Sequence, residues 1–133
     1  MDINILQDAA TKAATRAYVP YSGFAVGVAL LCGDDDKDEI ISGCNVENSS
    51  YGLSNCAERT ALFTAVALGK RSFKAIAIYS PNAADYLLPC GACRQVLSEF
   101  VGEDFPFYLG NKQGQFTKVA FSQLFPKPFK INE

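Results

Sequence analysis

Three of this chain's five cysteines fall into two short groups that only folding can bring together: Cys56-Ala57-Glu58, and Pro89-Cys90-Gly91-Ala92-Cys93. Each group stands just before a stretch of helical character, so each is expected to open a helix. Helix N-termini present unpaired N–H groups and the positive end of the helix dipole, and both favour a thiolate over a thiol. A fold that faces two such ends toward each other supplies three thiolates to one ion.

Zinc prefers sulfur and nitrogen ligands in a tetrahedron; a structural site closes all four positions with protein, whereas a catalytic site keeps one for water. The chain has no histidine. A fourth ligand would have to be Cys32, Cys44 or a carboxylate, and the three grouped cysteines leave an opening for water. Three thiolates around a dication leave a net negative centre, a poor Lewis acid unless that charge is offset. Arg59 and Arg94 each follow the motif residues directly, and Arg59, beside both Cys56 and Glu58, is the expected partner of the sulfurs. Glu58 is the residue that would turn such a centre into an enzyme, since a carboxylate beside an activated water can take its proton and pass protons on. Residues two apart on a helix do not face each other, so this requires Cys56 to occupy the non-helical cap position.

Plainer readings of the same residues stand beside this one. Cys90-Gly91-Ala92-Cys93 has the spacing of a redox pair. Glu58 could serve only in a capping box with Asn55 as N-cap. Cys32 and Cys44 lie in expected strands and read as core.

Along the chain, Ile3, Ile5, Leu6, Ala9, Ala10, Ala13 and Ala14 have helical spacing before Pro20. Residues 24–32 and 39–45 read as two strands of a hairpin, with an acidic, solvated turn over residues 33–38. Residues 46–55 have loop chemistry. A helix is expected from about Cys56 to Leu68, stopped by Gly69, and a buried strand over 73–79. A bulky loop, Asn82 to Leu88, crosses to a second helix over 90–100. Short strands follow at 105–109 and 115–119, then one helical turn at 120–124. There is no internal repeat and no linker, so residues 1–133 are expected to form one domain. The alternation of strands and helices predicts an α/β fold with one mixed sheet covered by helices.

Composition narrows the partners. The chain is 49% hydrophobic and 20% charged, with formal net charge −2, enough apolar material for a core of its own. It lacks the basic stripe with which proteins grip a nucleic-acid backbone, which argues against a polynucleotide substrate. No apolar run approaches membrane-spanning length, and Met1-Asp2-Ile3-Asn4 does not read as a signal peptide. A cytoplasmic location is expected, and with it free thiols rather than disulfides.

At these residues the sequence resembles the zinc-dependent cytidine deaminases; zinc deaminases have a P-C-x-x-C half and a nearby glutamate that is not a ligand, with three-cysteine ligation as one form. The resemblance runs from about Tyr21 to Phe100. It is densest at Tyr21-Ser22-Gly23-Phe24-Ala25-Val26-Gly27, Gly43-Cys44-Asn45-Val46-Glu47-Asn48, Tyr51-Gly52-Leu53, Cys56-Ala57-Glu58-Arg59-Thr60-Ala61 and Pro89-Cys90-Gly91-Ala92-Cys93-Arg94-Gln95. It implies a three-layer α/β/α sandwich with a mixed central sheet and, for short members, a homotetramer with active sites near subunit interfaces. One zinc per chain would be held by Cys56, Cys90 and Cys93, and Glu58 would be the catalytic acid and base. Asn45 and Glu47 would bond the ribose hydroxyls, with Val46 and Tyr51 lining the sugar side. Phe24 would pack on the pyrimidine, and Ala57 would offer backbone to the base. Phe129 resembles an aromatic that family members contribute to the site, with Phe125 the other candidate. The implied reaction is hydrolysis of free cytidine and 2′-deoxycytidine to the uridines and ammonia. Deamination of another amino-heterocycle, a structural zinc module and a thiol redox protein are the competing readings.

Overall fold

A computed structural model describes residues 2–34 and 37–131. The elements run α1 (Ile3–Ala14), β1 (Gly27–Asp34), β2 (Lys37–Cys44), a single 3-10 turn (Tyr51–Leu53), α2 (Ala57–Ala67), β3 (Phe73–Tyr79), α3 (Gly91–Ser98), β4 (Pro106–Gly110), β5 (Phe116–Ala120) and α4 (Phe121–Leu124). The tip of the acidic hairpin, Asp35-Asp36, lies outside the described residues.

The five strands form one mixed sheet in the order β2-β1-β3-β4-β5. β1 pairs antiparallel with both β2 and β3, β4 pairs antiparallel with β5, and β3 and β4 are parallel. A parallel pair needs a crossover, and residues 80–105, carrying α3, make it. The period-2 alternation of the strands then sorts the core into two halves. Val28, Leu30 and Cys32 of β1 and Ile76 and Ile78 of β3 pack with Ala57, Ala61 and Leu62 of α2, Leu97 of α3 and Phe107 of β4. On the opposite face Ala29, Leu31, Ala75 and Ala77 pack with Leu6 and Ala10 of α1. The result is the three-layer α/β/α sandwich with a mixed central sheet. Phe107 is fully buried, stacked on Phe121 at 5.8 Å between ring centroids and edge-on to Phe105 at 5.6 Å. Burying a side chain of this size stabilises by about 1.5–3 kcal/mol.

Two glycines set how closely the helices approach the sheet. A Cβ on Gly27 would lie 2.1 Å from the Ala10 carbonyl oxygen of α1, and one on Gly43 would lie 2.5 Å from the Ala61 nitrogen of α2. Both contacts are with backbone, so neither helix could yield without moving as a whole. The seat on Gly43 fixes the end of α2 that carries the site.

Both helices of the site begin and end as their sequences dictate. α2 is built largely of strong helix formers, and Cys56 precedes it in extended conformation (φ −71°, ψ 153°). It stops at Gly69, whose φ of +88° is costly for any other residue. There the Gly69 N–H donates to the Val66 carbonyl and the Lys70 N–H to the Ala65 carbonyl, which closes a Schellman motif. α3 begins after buried Pro89, with Cys90 extended at its N-cap (φ −69°, ψ 168°). α1 ends at Ala14, the last residue of its apolar spacing: Thr15 caps it, and the chain leaves the helix before Pro20. β1 begins at Gly27 rather than at Phe24, because the N–H groups of residues 24–26 are bound by the side chains of Ser22, Asn82 and Asn45. Among the described residues no helix is long and apolar enough to cross a membrane.

Candidate active site

The two cysteine groups do meet. Cys56 and Cys90 are both N-caps, so the start of α2 faces the start of α3. The Sγ atoms of Cys56 and Cys90 are 3.7 Å apart, those of Cys90 and Cys93 are 3.4 Å apart, and all three lie within 4.8 Å of one another. Four ligands at a zinc–sulfur length of roughly 2.3 Å in a tetrahedron place sulfurs about 3.8 Å apart, so the spacing fits one zinc ion. Cys32 and Cys44 are not in the cluster. Cys32 is buried in the core. Cys44 is only half-buried, with its thiol donating to the Arg16 carbonyl at 3.5 Å. Among the described residues no fourth His, Cys, Asp or Glu joins the three, which leaves one tetrahedral position open.

Electrostatics at the cluster favour a metal. Hydrogen bonds from the Cys93 thiol and from Arg59, whose Nη2 lies 3.3 Å from Cys56 Sγ, bring Cys56 down to about 5, a thiolate at neutral pH. The same sharing raises Cys93, which acts as donor to the Cys56 thiolate and is also desolvated. Such an arrangement needs a cation before all three sulfurs can ionise together. Arg59 Nε is buried without a hydrogen-bond partner, a spare donor on the side chain that already bonds Cys56. Arg94 turns away from the sulfurs. Its Nε donates to the Pro89 carbonyl at 2.9 Å and its Nη1 to the Leu124 carbonyl at 2.7 Å, so it holds the turn that presents Cys90.

Glu58 sits in the first turn of α2 and is 6% exposed. Burial pushes its carboxyl up to about 7, and the neighbouring Cys56 thiolate adds to the rise. A carboxyl in that range can both take and give a proton near neutral pH. With Cys56 at the cap, Asn55 is not the N-cap. Its amide donates instead to Thr60 Oγ1, so Glu58 is not committed to a capping box.

The segment beside the cluster carries the residues expected to meet a sugar. Val46 bridges Tyr18 on one side and Asn55 on the other, which strings residues 45–47 between the two. The Asn45 amide spans the backbone of the preceding loop: Nδ2 donates to the Phe24 carbonyl at 2.8 Å and Oδ1 accepts from the Val26 N–H at 2.9 Å. Asn82 Oδ1 accepts from the Ala25 N–H between them. Asn45 is therefore first a clamp on residues 24–26, with one N–H and one lone pair to spare. Phe24 is 37% exposed rather than core, because these clamps keep it out of β1. Glu47 Oε1 accepts from the Tyr21 and Ser22 N–H groups at 3.1 Å each, and Oε2 accepts from Ser22 Oγ. Tyr21 and Tyr51 meet edge to face at 5.9 Å across an open pocket lined also by Ser22, Glu47 and Ser54. Ala57, the residue between Cys56 and Glu58, is buried. Phe129 is 70% exposed, its carbonyl held by Gln95 Nε2 at 3.1 Å, whereas Phe125 packs on Phe121. Ser22, Asn82 and Gln95 are the supporting residues to which the reading of the chain gave no role. Two of them, Ser22 and Gln95, stand inside the motif segments, but only the fold reveals which backbone atoms they hold.

Fold and site together define a zinc-binding α/β enzyme of the hydrolytic deaminase class. The family model for the cytidine and deoxycytidylate deaminase zinc-binding region matches residues 2–109. The chain is 48% identical to a cytidine deaminase of Halalkalibacterium halodurans, over 100% of this chain and 98% of that one. It is 47% identical to one of Sporosarcina psychrophila, over 97% and 92% respectively. The crystal structure of cytidine deaminase from Burkholderia pseudomallei superposes with a TM-score of 0.90 at 45% identity, covering 97% of this chain and all of that one. The chain belongs to the cytidine deaminase family.

Proposed function

We propose that this protein deaminates free cytidine and 2′-deoxycytidine by hydrolysis, releasing ammonia and the corresponding uridine. The observation that carries the reading is the cluster of Cys56, Cys90 and Cys93, open at one position, beside the buried carboxyl of Glu58. The three thiolates are the zinc ligands, and Arg59 offsets their charge. When bound, zinc supplies the positive charge that makes a water acidic enough to serve as nucleophile near neutral pH. Glu58 takes the proton of that water as its oxygen attacks C4 of the ring. The same carboxyl delivers that proton to N3, then takes the proton of the new C4 hydroxyl and passes it to the exocyclic amine, which departs as ammonia as the C4–N bond breaks and the C4 carbonyl forms.

Substrate contacts follow from the neighbours of this pair. Phe24, exposed and clamped, offers a ring to the pyrimidine face. The Ala57 backbone meets the base edge. Glu47 and the spare capacity of Asn45 take the sugar hydroxyls, with Val46 and Tyr51 along the sugar side. Phe129 is the free aromatic of the C-terminal segment and reaches a site, its own or a neighbour's. We take residues 1–133 as one deaminase domain acting in the cytoplasm, in pyrimidine salvage, on a small nucleoside and not on a polynucleotide.

A homotetramer with sites near subunit interfaces is part of this reading. Supporting it, Tyr18, Val46, Tyr51 and Leu53 are 44–75% exposed beside the site, and Phe63 and Leu68 stand out from α2 at 49% and 60%. Such a concentration of exposed apolar side chains marks an interaction surface. Sedimentation equilibrium tests it: a mass of four chains is expected, and a monomer at micromolar concentration contradicts it. The reaction itself is tested by following cytidine and 2′-deoxycytidine absorbance together with ammonia release. Loss of both substrates with stoichiometric ammonia is expected, and no turnover of either by zinc-loaded protein rejects the substrate assignment.

A further inference from the structure

We infer that Ser22 is a positioning residue of this site, aiming the carboxylate of Glu47 at the sugar while fixing the loop that carries Phe24. The inference rests on the reading of Glu47 as a sugar contact. Ser22 Oγ does two things at once. It donates to Glu47 Oε2 at 2.5 Å, and it accepts from the Phe24 N–H at 3.0 Å. The Ser22 and Tyr21 N–H groups both donate to Glu47 Oε1. The turn is closed by the Gly23 N–H bonding the Val19 carbonyl, and Gly23 takes a φ of +68°, which only glycine adopts at little cost.

A carboxylate has about four acceptor positions. Oε1 uses two on backbone donors, Oε2 uses one on the Ser22 hydroxyl, and the position left over lies on Oε2. The hydroxyl therefore determines where the one free lone pair of Glu47 points. With two N–H donors on Oε1 alone, Oε2 could swing about that anchor and the free lone pair would lose its fixed direction. The same hydroxyl ties that direction to the backbone of Phe24. One side chain thus couples the group read as binding the sugar to the ring read as packing on the base. Ser22, Glu47, Tyr21 and Tyr51 line one open pocket, so the coupling lies at an accessible surface rather than within the core.

The test compares steady-state kinetics on cytidine for zinc-loaded parent, Ser22→Ala, Ser22→Thr, Glu47→Gln and the double variant Ser22→Ala/Glu47→Gln. Loss of a hydrogen bond to a charged group predicts that Ser22→Ala raises KM about tenfold and changes kcat less than about threefold. Ser22→Thr, which keeps the hydroxyl, returns KM to within about twofold of parent. In the Glu47→Gln background the serine change adds less than about twofold. If Glu47→Gln raises KM while Ser22→Ala leaves it unchanged, the inference about Ser22 fails and the reading of Glu47 stands. If Glu47→Gln itself leaves KM unchanged, the reading of Glu47 fails and the inference falls with it. A Ser22→Ala variant that lowers kcat as much as it raises KM, or that loses zinc, has a structural defect and overturns the positioning role.

Discussion

Arg59 donates from Nη2 to Cys56 Sγ at 3.3 Å, across the first turn of the helix that Cys56 caps. The guanidinium is a positive charge in direct contact with the sulfur cluster, and its charge is stabilised in turn, Arg59 being held above its ordinary value by the hydrogen bond to Cys56. Replacing Arg59 by glutamine leaves the sulfurs in place but removes the charge. Zinc affinity, read by competition with a chelator, is expected to fall about 10- to 100-fold. Arg59→Lys should fall between the two, because an ammonium keeps the charge but lacks the planar fork of the guanidinium. Unchanged affinity in both variants would remove Arg59 from the account.

Cys90 is the exposed member of the cluster, and its Sγ also accepts from the Cys93 N–H at 3.4 Å. Cys90→Ala is expected to abolish stoichiometric zinc, measured by metal analysis after dialysis, while the far-ultraviolet dichroism of the sandwich remains. The core packs without the cluster, so loss of metal should not unfold the chain. One zinc per chain retained in this variant would reject the ligand set.

Gly43 lies under α2, where a Cβ would come within 2.5 Å of the Ala61 nitrogen and 2.8 Å of the Ala57 carbonyl oxygen. Gly43→Ala must push α2 away from the sheet. A cost of about 1–3 kcal/mol is expected, visible as a lower denaturant midpoint. Because Ala57 follows Cys56, the same shift should weaken zinc binding. Gly52→Ala, where a Cβ meets nothing within 4 Å, is the matched control for space. Equal stability of the two variants would show that α2 does not need the close approach.

Much of this was readable before folding, and the reasons are local. β3 stood out because FKAIAIY alternates a small and a large apolar face, and its observed limits are residues 73–79 as expected. α2 and α3 were legible from their caps and from Gly69, and the two cysteine groups were legible because both caps are themselves ligand types. What sequence could not supply was the partner of each polar side chain in the loops. Asn45 and Glu47 are 19 to 26 residues from the backbone groups they hold. Nothing local distinguishes an amide that clamps Phe24 and Val26 from one that waits for a sugar. Phe24 was ambiguous for the same reason: its apolar neighbours continue into β1, and only the clamps at residues 24–26 stop the strand short of it. Arg94 shows the opposite limit, since its place beside Cys93 in the chain pointed to sulfur while its guanidinium spans Pro89 and Leu124.

Cys32 gives a pH signature independent of the metal cluster. Burial, with help from the charge of Glu39, pushes its thiol from the ordinary 9.0 up to about 11. Between those values the folded chain keeps a proton that the unfolded chain releases, so stability is full below pH 9 and declines as pH rises toward 11. Cys32→Val keeps the apolar contact and removes the titration. Urea midpoints across this range should fall more steeply for the parent than for the variant. Parallel slopes would mean that Cys32 is not protected by burial.

The most direct test of the central claim is turnover of cytidine by Glu58→Gln beside the parent, with zinc measured on the same samples. Glutamine matches the shape of the buried carboxyl but cannot carry a proton. The account predicts one zinc per chain in both proteins, ammonia release by the parent, and a loss of at least about 100- to 10,000-fold in kcat for the variant. A variant that keeps its zinc and turns over within a few-fold of the parent would contradict it, because the proton transfers would then belong to some other group.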